Sequence, residues 1–133
     1  SDVYKRQLLM IPMDIILIEQ VLINLMENAV QHGKTTTRIE LRLSSAGGLA
    51  VFEVADNGCG IEKELLPHLF EGYLTRDQEE ISDQRRNMGI GLSVCMSIVQ
   101  AHGGTMRAEN RKKGGALLQF SLPLEENSHE HQR

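Results

Sequence analysis

"VLINLMENAVQHG" (residues 21–33) carries two amides, Asn24 and Asn28, in an otherwise apolar helical pattern. An amide inside a core costs free energy unless it is hydrogen-bonded, so two on one face point to something polar opposite. Upstream, Asp14 is an N-cap candidate; the helical pattern runs from there to about His32, with Gly33 as C-cap. Leu17, Val21, Asn24, Asn28 and Gln31 fall on one stripe at helical spacing. Ile18, Leu22, Leu25, Met26 and Ala29 cover the neighbouring face. The helix is apolar over most of one side, with an amide seam along it.

Outward from that helix, "LLMIP" (8–12) predicts a short preceding strand. "TRIELRLS" (37–44) and "LAVFEVAD" (49–56) alternate around the turn "SAGG" and predict an antiparallel hairpin with one face buried. "DNGCGIEKE" turns into a short helix over about 62–69. Residues 71–87, "EGYLTRDQEEISDQRRN", are polar and without sustained periodicity. So long a connection inside a compact domain reads as a functional lid or a disordered segment. "GIGLSVCMSIVQAHGG" (89–104) predicts a second apolar helix between glycine pairs. "TMRAEN" and "ALLQFSLP" (116–123) predict a final strand pair turned at "RKKGG". Leu69, Phe70, Tyr73 and Leu74 read as a packed hinge, Cys95 and Met96 as core, and His68 and His102 as structural. The order β-α-β-β-α-lid-α-β-β makes the fold class α+β. It implies a two-layer α/β sandwich, with helices on one face of a mixed, mainly antiparallel sheet.

A length of 133 residues fits one domain with a real core. The expected domain is 8–124, between a leader (1–7) that need not be native sequence and a polar tail (125–133). With 41% apolar and 24% charged residues the chain is globular rather than disordered. A net charge of -4 argues against broad nucleic-acid binding, which needs a basic footprint. Cys59 and Cys95 form no CxxC motif, and a reduced, cytoplasmic compartment is the simpler reading. No stretch approaches the ~20 apolar residues of a membrane span. No direct membrane contact is therefore expected of this segment, and "SDVYKRQ" lacks the apolar region of a signal peptide.

Each chemical pattern has a plain and a functional reading. Asn24 and Asn28 are either satisfied polar residues at a helix surface or amide oxygens facing a cation or its waters. Mg²⁺ suits the second, since it keeps most of its waters and takes few protein oxygens, the rest coming from phosphates. Asp56-Asn57-Gly58-Cys59-Gly60 is either a glycine-rich turn or a base site. In the base site, Asp56 accepts from an exocyclic amine such as that of adenine, and Gly58 and Gly60 let a flat ring approach the backbone. "NMGIGL" (87–92) is either an ordinary helix start or an anion site built from free N–H groups and the helix dipole. Arg85 and Arg86 are either a solvated pair or phosphate ligands, and Lys34 is a further candidate. A polar loop beside such a site can close over nucleotide. Each pattern is common alone. In this order, with a lid between the two glycine motifs, they are jointly specific.

The arrangement resembles the ATP-binding catalytic domain of sensor histidine kinases, the Bergerat fold, a branch of the gyrase, Hsp90 and MutL ATPases. The resemblance covers Leu8 to Leu124. "NLMENA" looks like the N box, "DNGCGI" the G1 box, "LFEGY" the F box and "NMGIGL" the G2 box. "HGGTMRAEN" with "GGALLQFSLP" looks like the closing strands. The text is most similar to the potassium-responsive Kdp sensor kinases, above all in "VLINLMENAVQHG" and "RNMGIGLSVCMSIVQAHGGTMRAENR".

That resemblance implies ATP and Mg²⁺ as cofactors. It puts Asn28 on Mg²⁺, Asn24 beside the phosphates or the metal, and Asp56 on the adenine amino group. Gly58 and Gly60 would lie under the ring, and Gly89 and Gly91 on the phosphate side. Gln31, His32, Ile61, Arg85, Ile90 and Leu92 complete the implied nucleotide set, and Arg86 joins the two asparagines in catalysis. The implied partners are a separate dimerisation domain bearing the phosphoacceptor histidine and a response regulator reached through the full-length kinase. The parent kinase would sit in the cell membrane with this domain in the cytoplasm.

The chain departs from the family pattern at three positions. Gln31 stands where many members have Lys, His32 where an aromatic is common, and Asn87 where the first glycine of GxGxG is usual. The positive charge must then come from elsewhere, with Arg85 and Arg86 as candidates. Position 24 separates branches. The ATPases and anti-sigma serine kinases carry Glu there, and an amide cannot act as a general base at neutral pH. Glu27 is adjacent to Asn28 but rotated from it by about 100°. The resemblance therefore favours phosphoryl transfer to a histidine outside this chain over hydrolysis. None of the five histidines sits in an H-E-x-x-[ST]-P setting, which the family's phosphoacceptor resembles. The alternatives are an ATPase or serine kinase of the same fold, and a degenerate nucleotide-binding module.

Overall fold

Asp14 adopts extended backbone and its carboxylate accepts the Leu17 amide at 3.2 Å, which starts a helix, α1, over Ile15–His32. The computed structural model describes residues 10–33, 35–71 and 83–125. Gly33 closes α1 in right-handed backbone (φ -77°), so this cap does not depend on glycine's left-handed freedom. Ile18, Val21, Leu25 and Ala29 are buried along one side of α1, as their spacing predicts. Burial of each large aliphatic side chain contributes about 1.5–3 kcal/mol.

The sheet follows from two hairpins. Strands β1 (Ile39–Ala46) and β2 (Leu49–Asp56) form the first, and β3 (Thr105–Asn110) and β4 (Ala116–Pro123) the second. Pairing of β2 with β4 joins them in the order β1-β2-β4-β3, and all three pairings are antiparallel. Ala50 and Val54 of β2 and Leu118, Phe120 and Leu122 of β4 share the buried face. There Phe52 stacks on its register partner Phe120, ring centroids 4.6 Å apart. The second long helix, α2, spans Asp83–Ala101 and sends Leu92, Cys95 and Val99 into the same core. The opposite face carries a polar row among apolar neighbours such as Val51 and Leu117. Arg42, Glu53, Gln119 and Arg107 form one row across four strands, linked at 3.8, 2.8 and 2.8 Å. This is the expected two-layer α+β sandwich.

His102 ties the end of α2 to the start of α1. Its Nδ1–H donates to the Ile98 carbonyl at 2.8 Å, leaving Nε2 to accept the Asp14 amide at 3.0 Å.

Several expectations are corrected. The strand expected over 8–12 is not seen at Met10–Pro12, and Leu8 and Leu9 lie outside the described residues: Pro12 has no N–H to give a ladder, and among the described residues Met10 O accepts from Glu125 N. The helix expected over 62–69 shrinks to a 3-10 turn at Leu66–His68, because Pro67 cannot donate to a helical ladder. Strand β1 has no well-buried face. Leu41 and Leu43, opposite Val54 and Phe52, remain 58% and 50% exposed at the sheet edge. Helix α2 already includes Asp83, ahead of Gly89, so residues 83–87, expected in the aperiodic lid, are helical. The leader, Lys34, Tyr73, Leu74, the lid over 72–82 and the tail from 126 lie outside the described residues. Among the described residues no helix is long and apolar enough to cross a membrane.

Candidate functional site

Helix α1 is the spine of the site, and the glycine-rich loop after β2 is fastened to its C-terminal end. The Gly33 carbonyl accepts the Cys59 amide at 2.9 Å. Gly58 lies so close to Gly33 and Thr36 that a Cβ there would overlap both. Asn57 holds the other side: its Oδ1 accepts from the amides of Thr37 and Arg38 at 2.9 and 3.0 Å, and its Nδ2 donates to Thr37 Oγ1 at 2.9 Å. The segment after α1 and the segment after β2 thus fix each other.

Asp56 ends β2 and is 5% exposed. Its Oδ1 accepts the amides of Gly58 (2.8 Å) and Ala116 (3.3 Å). No described residue pairs with Oδ2, which leaves one oriented acceptor for a ligand. Gly60 adopts left-handed backbone (φ +83°), where a Cβ would stand 2.8 Å from Asn110 Oδ1. Asn110 in turn brackets Ile61, accepting its N–H at 2.7 Å and donating to its carbonyl at 2.8 Å.

The two asparagines of α1 have different surroundings. Asn24 Oδ1 accepts from Gln20 at 3.1 Å, while Nδ2 meets Cys95 Sγ at 3.5 Å. Asn24 also faces Gly91, whose Cβ position is 3.9 Å from Nδ2, so the N-box and G2-box segments stand side by side. Asn28 carries a buried Nδ2 with no partner among the described residues. Buried polar atoms are nearly always paired, so an orphan here calls for a ligand or its water. The amide can present either its oxygen or its nitrogen by a half-turn. Asn24 is thus satisfied within the protein, and Asn28 is not.

Burial pushes the Cys95 thiol above its ordinary value, offset in part by the Asn24 hydrogen bond. Among the described residues no group of three His, Cys, Asp or Glu side chains could hold a metal. The donor candidates on α1, Asn24 and Asn28, are neutral amides. A set of this kind fits Mg²⁺ that arrives with phosphates to balance its charge, and does not fit a free divalent ion.

The remaining candidates lie on α1, on α2 and just after the β2 loop. Gln31 is exposed, Ile61 is half-buried against the core and Leu92 is 1% exposed within it. His32 ends α1, and Arg85, Arg86, Gly89 and Ile90 lie in the first turns of α2. The side chains of those five lie outside the described residues. One expectation changes: Gly89 and Gly91 do not open a helix. They follow helical residues from Asp83 onward, so their N–H groups fall within the helical ladder and are not free for an anion. Helix-compatible Gln84, Arg85 and Arg86 carry the helix through what the polar composition suggests is loop. Sequence reasoning missed Asn57, Asn110 and Arg111. Their only signal is a polar residue flanking a glycine turn.

Residues 13–126 match the family model for histidine kinase-, DNA gyrase B-, and HSP90-like ATPases. The sensor protein KdpD of Clostridium acetobutylicum is 43% identical over 117 residues, which are 88% of this chain and 13% of that protein. The chain therefore spans a small part of this relative's length. Among solved structures, the catalytic domain of histidine kinase ThkA has a TM-score of 0.65 at 29% identity, over 85% of this chain and 69% of that one. Full-length ShkA, solved in complex with AMPPNP, has a TM-score of 0.67 at 28% identity, over 88% of this chain and 23% of its own. The chain belongs to the family of histidine kinase-, DNA gyrase B- and HSP90-like ATPases, as a catalytic domain of the sensor histidine kinase type.

Proposed function

We propose that this chain binds ATP with Mg²⁺ along α1 and presents the γ-phosphate to a histidine on a separate dimerisation domain. The observation that carries this is Asp56, whose Oδ1 is consumed by Gly58 and Ala116 while Oδ2 stays unpaired. A buried carboxylate with one oxygen held and one offered suits an exocyclic amino group. Gly58 and Gly60 would floor the base, with Ile61 behind them. Asn28 would hold the metal or one of its waters, and Asn24 would line the wall toward Gly91. Gln31, His32, Arg85, Arg86, Gly89, Ile90 and Leu92 complete the proposed set, the arginines supplying positive charge toward the phosphates.

When bound, Mg²⁺ neutralises phosphate charge; the chain's own part is to position the nucleotide and exclude competing acceptors. An amide at position 24 takes no proton from water, and Glu27 is exposed on another side of α1. Both features support transfer rather than hydrolysis. The identity to KdpD supports a potassium-responsive parent kinase in the membrane, with this domain on its cytoplasmic side and a response regulator downstream.

Calorimetric titration of the chain with ATP and Mg²⁺ tests the proposal. Asp56→Asn should weaken binding about tenfold or more, the scale of a hydrogen bond to a charged group. Equal affinity in the variant overturns the base site. With γ-labelled ATP the isolated chain should take up no label, and labelled chain overturns the separate acceptor.

A further inference from the structure

The loop that carries Asp56 is gripped by a hairpin end that no part of the proposed site includes. Strand β3 ends at Asn110 and residues 111–115 turn back into β4. Registered pairing of β2 with β4 stops at Ala55 and Leu117, so the Asp56 carbonyl lies past that ladder. Arg111 reaches it from the turn: Nη1 donates to Asp56 O at 2.7 Å across 55 residues of sequence. Nη2 lies 3.9 Å from Glu40 Oε1 on β1, and the Arg111 amide donates to Gly115 O at 2.8 Å. Arg111 is thus fixed at its backbone by Gly115 and lies beside Glu40 at its tip while its guanidinium grips the peptide of Asp56.

We propose that Arg111 is a positioning residue for base recognition: by fixing the Asp56 carbonyl it sets where Oδ2 points. The proposal rests on the assignment of Asp56 to the adenine amino group. Arginine suits the task because a planar fork can bond the carbonyl and stay beside Glu40 at once, whereas an ammonium is a point charge. The neighbouring Asn110 bracket on Ile61 fixes the far end of the same loop. Loosening Arg111 should therefore turn the Asp56 peptide without displacing the whole loop.

The test compares ATP with inosine triphosphate, which carries an oxygen where ATP carries its 6-amino group. Dissociation constants with Mg²⁺ are measured calorimetrically for the wild type, Arg111→Met and Arg111→Lys. The wild type should prefer ATP. Arg111→Met should lower that preference at least threefold while the inosine nucleotide's affinity stays within twofold, and Arg111→Lys should fall between. A loss shared equally by both nucleotides marks a merely structural role and overturns the proposal. An unchanged preference in Arg111→Met does the same. Should Arg111→Met fail to fold, Arg111→Lys decides, and a wild-type preference in it overturns the proposal. A wild type that binds both nucleotides equally overturns the Asp56 assignment and this inference with it.

Discussion

Asn24 Nδ2 stands 3.5 Å from Cys95 Sγ, a direct polar link between the two long helices inside a core otherwise apolar. Cys95 is fully buried, and burial holds its thiol above the ordinary value of 9.0 against the opposing pull of Asn24. A raised folded-state value stabilises the fold below the unfolded value and loses that contribution as pH rises through the folded one. Urea midpoints should therefore hold steady from pH 7 to 8 and fall above 9.0. In Cys95→Ser, which has no thiol to ionise, the alkaline fall should be shallower. Equal slopes in the two proteins would remove Cys95 from the account.

The proposal that α1 offers Mg²⁺ only amide donors gives a second expectation. Mg²⁺ alone should produce no binding heat, because no carboxylate cluster among the described residues offsets its charge. With ATP present, Mg²⁺ should tighten nucleotide binding. Asn28→Ala should remove most of that tightening while leaving the affinity measured in chelator nearly unchanged. If Asn28→Ala lowers both affinities in parallel, Asn28 acts on the fold and not on the metal.

Helix α1, strand β2 and the β3–β4 pair are legible in the sequence because period and burial agree there. Val21, Leu25, Val54 and Leu118 each fall where their spacing puts a core residue. Strand β1 is different: alternation assigns Leu41 and Leu43 to a face, yet only a covering layer can bury it, and among the described residues none reaches the edge. The start of α2 is misread for a related reason. Polar Gln84, Arg85 and Arg86 resemble loop by composition and are good helix formers by propensity. Asp56 is singled out in the sequence by its place at a strand end, but Arg111 is not. Its bond to the Asp56 carbonyl joins residues 55 apart, which no local pattern encodes.

His102 supports a third prediction. It joins Ile98 O to the Asp14 amide, and Asp14 caps α1. Removing both bonds in His102→Ala should cost about 1–2 kcal/mol, reduced from two full hydrogen bonds because the Asp14 end is exposed. Chemical denaturation measures this directly. A variant within 0.3 kcal/mol of wild type, taking ~0.5 kcal/mol as the least a single bond contributes, would show that the bridge carries no stability.

The turn at Gly114 and Gly115 offers a controlled pair. Both residues have positive φ, +107° and +92°, so alanine at either should cost about 1–2 kcal/mol in backbone strain. Their surroundings differ. Nothing lies within 4 Å of a Cβ at Gly114, whereas at Gly115 it would overlap the Asp56 carbonyl and stand 2.8 Å from Asn57 Cα. That neighbour is backbone and cannot rotate away. Gly115→Ala should therefore lose more stability than Gly114→Ala, by about 1 kcal/mol or more, as overpacking against a rigid partner does. It should also weaken ATP binding, because the carbonyl it displaces is that of Asp56, the residue proposed to read the base, while Gly114→Ala should bind as wild type does. Equal nucleotide affinity in the two variants would separate the hairpin turn from the base site.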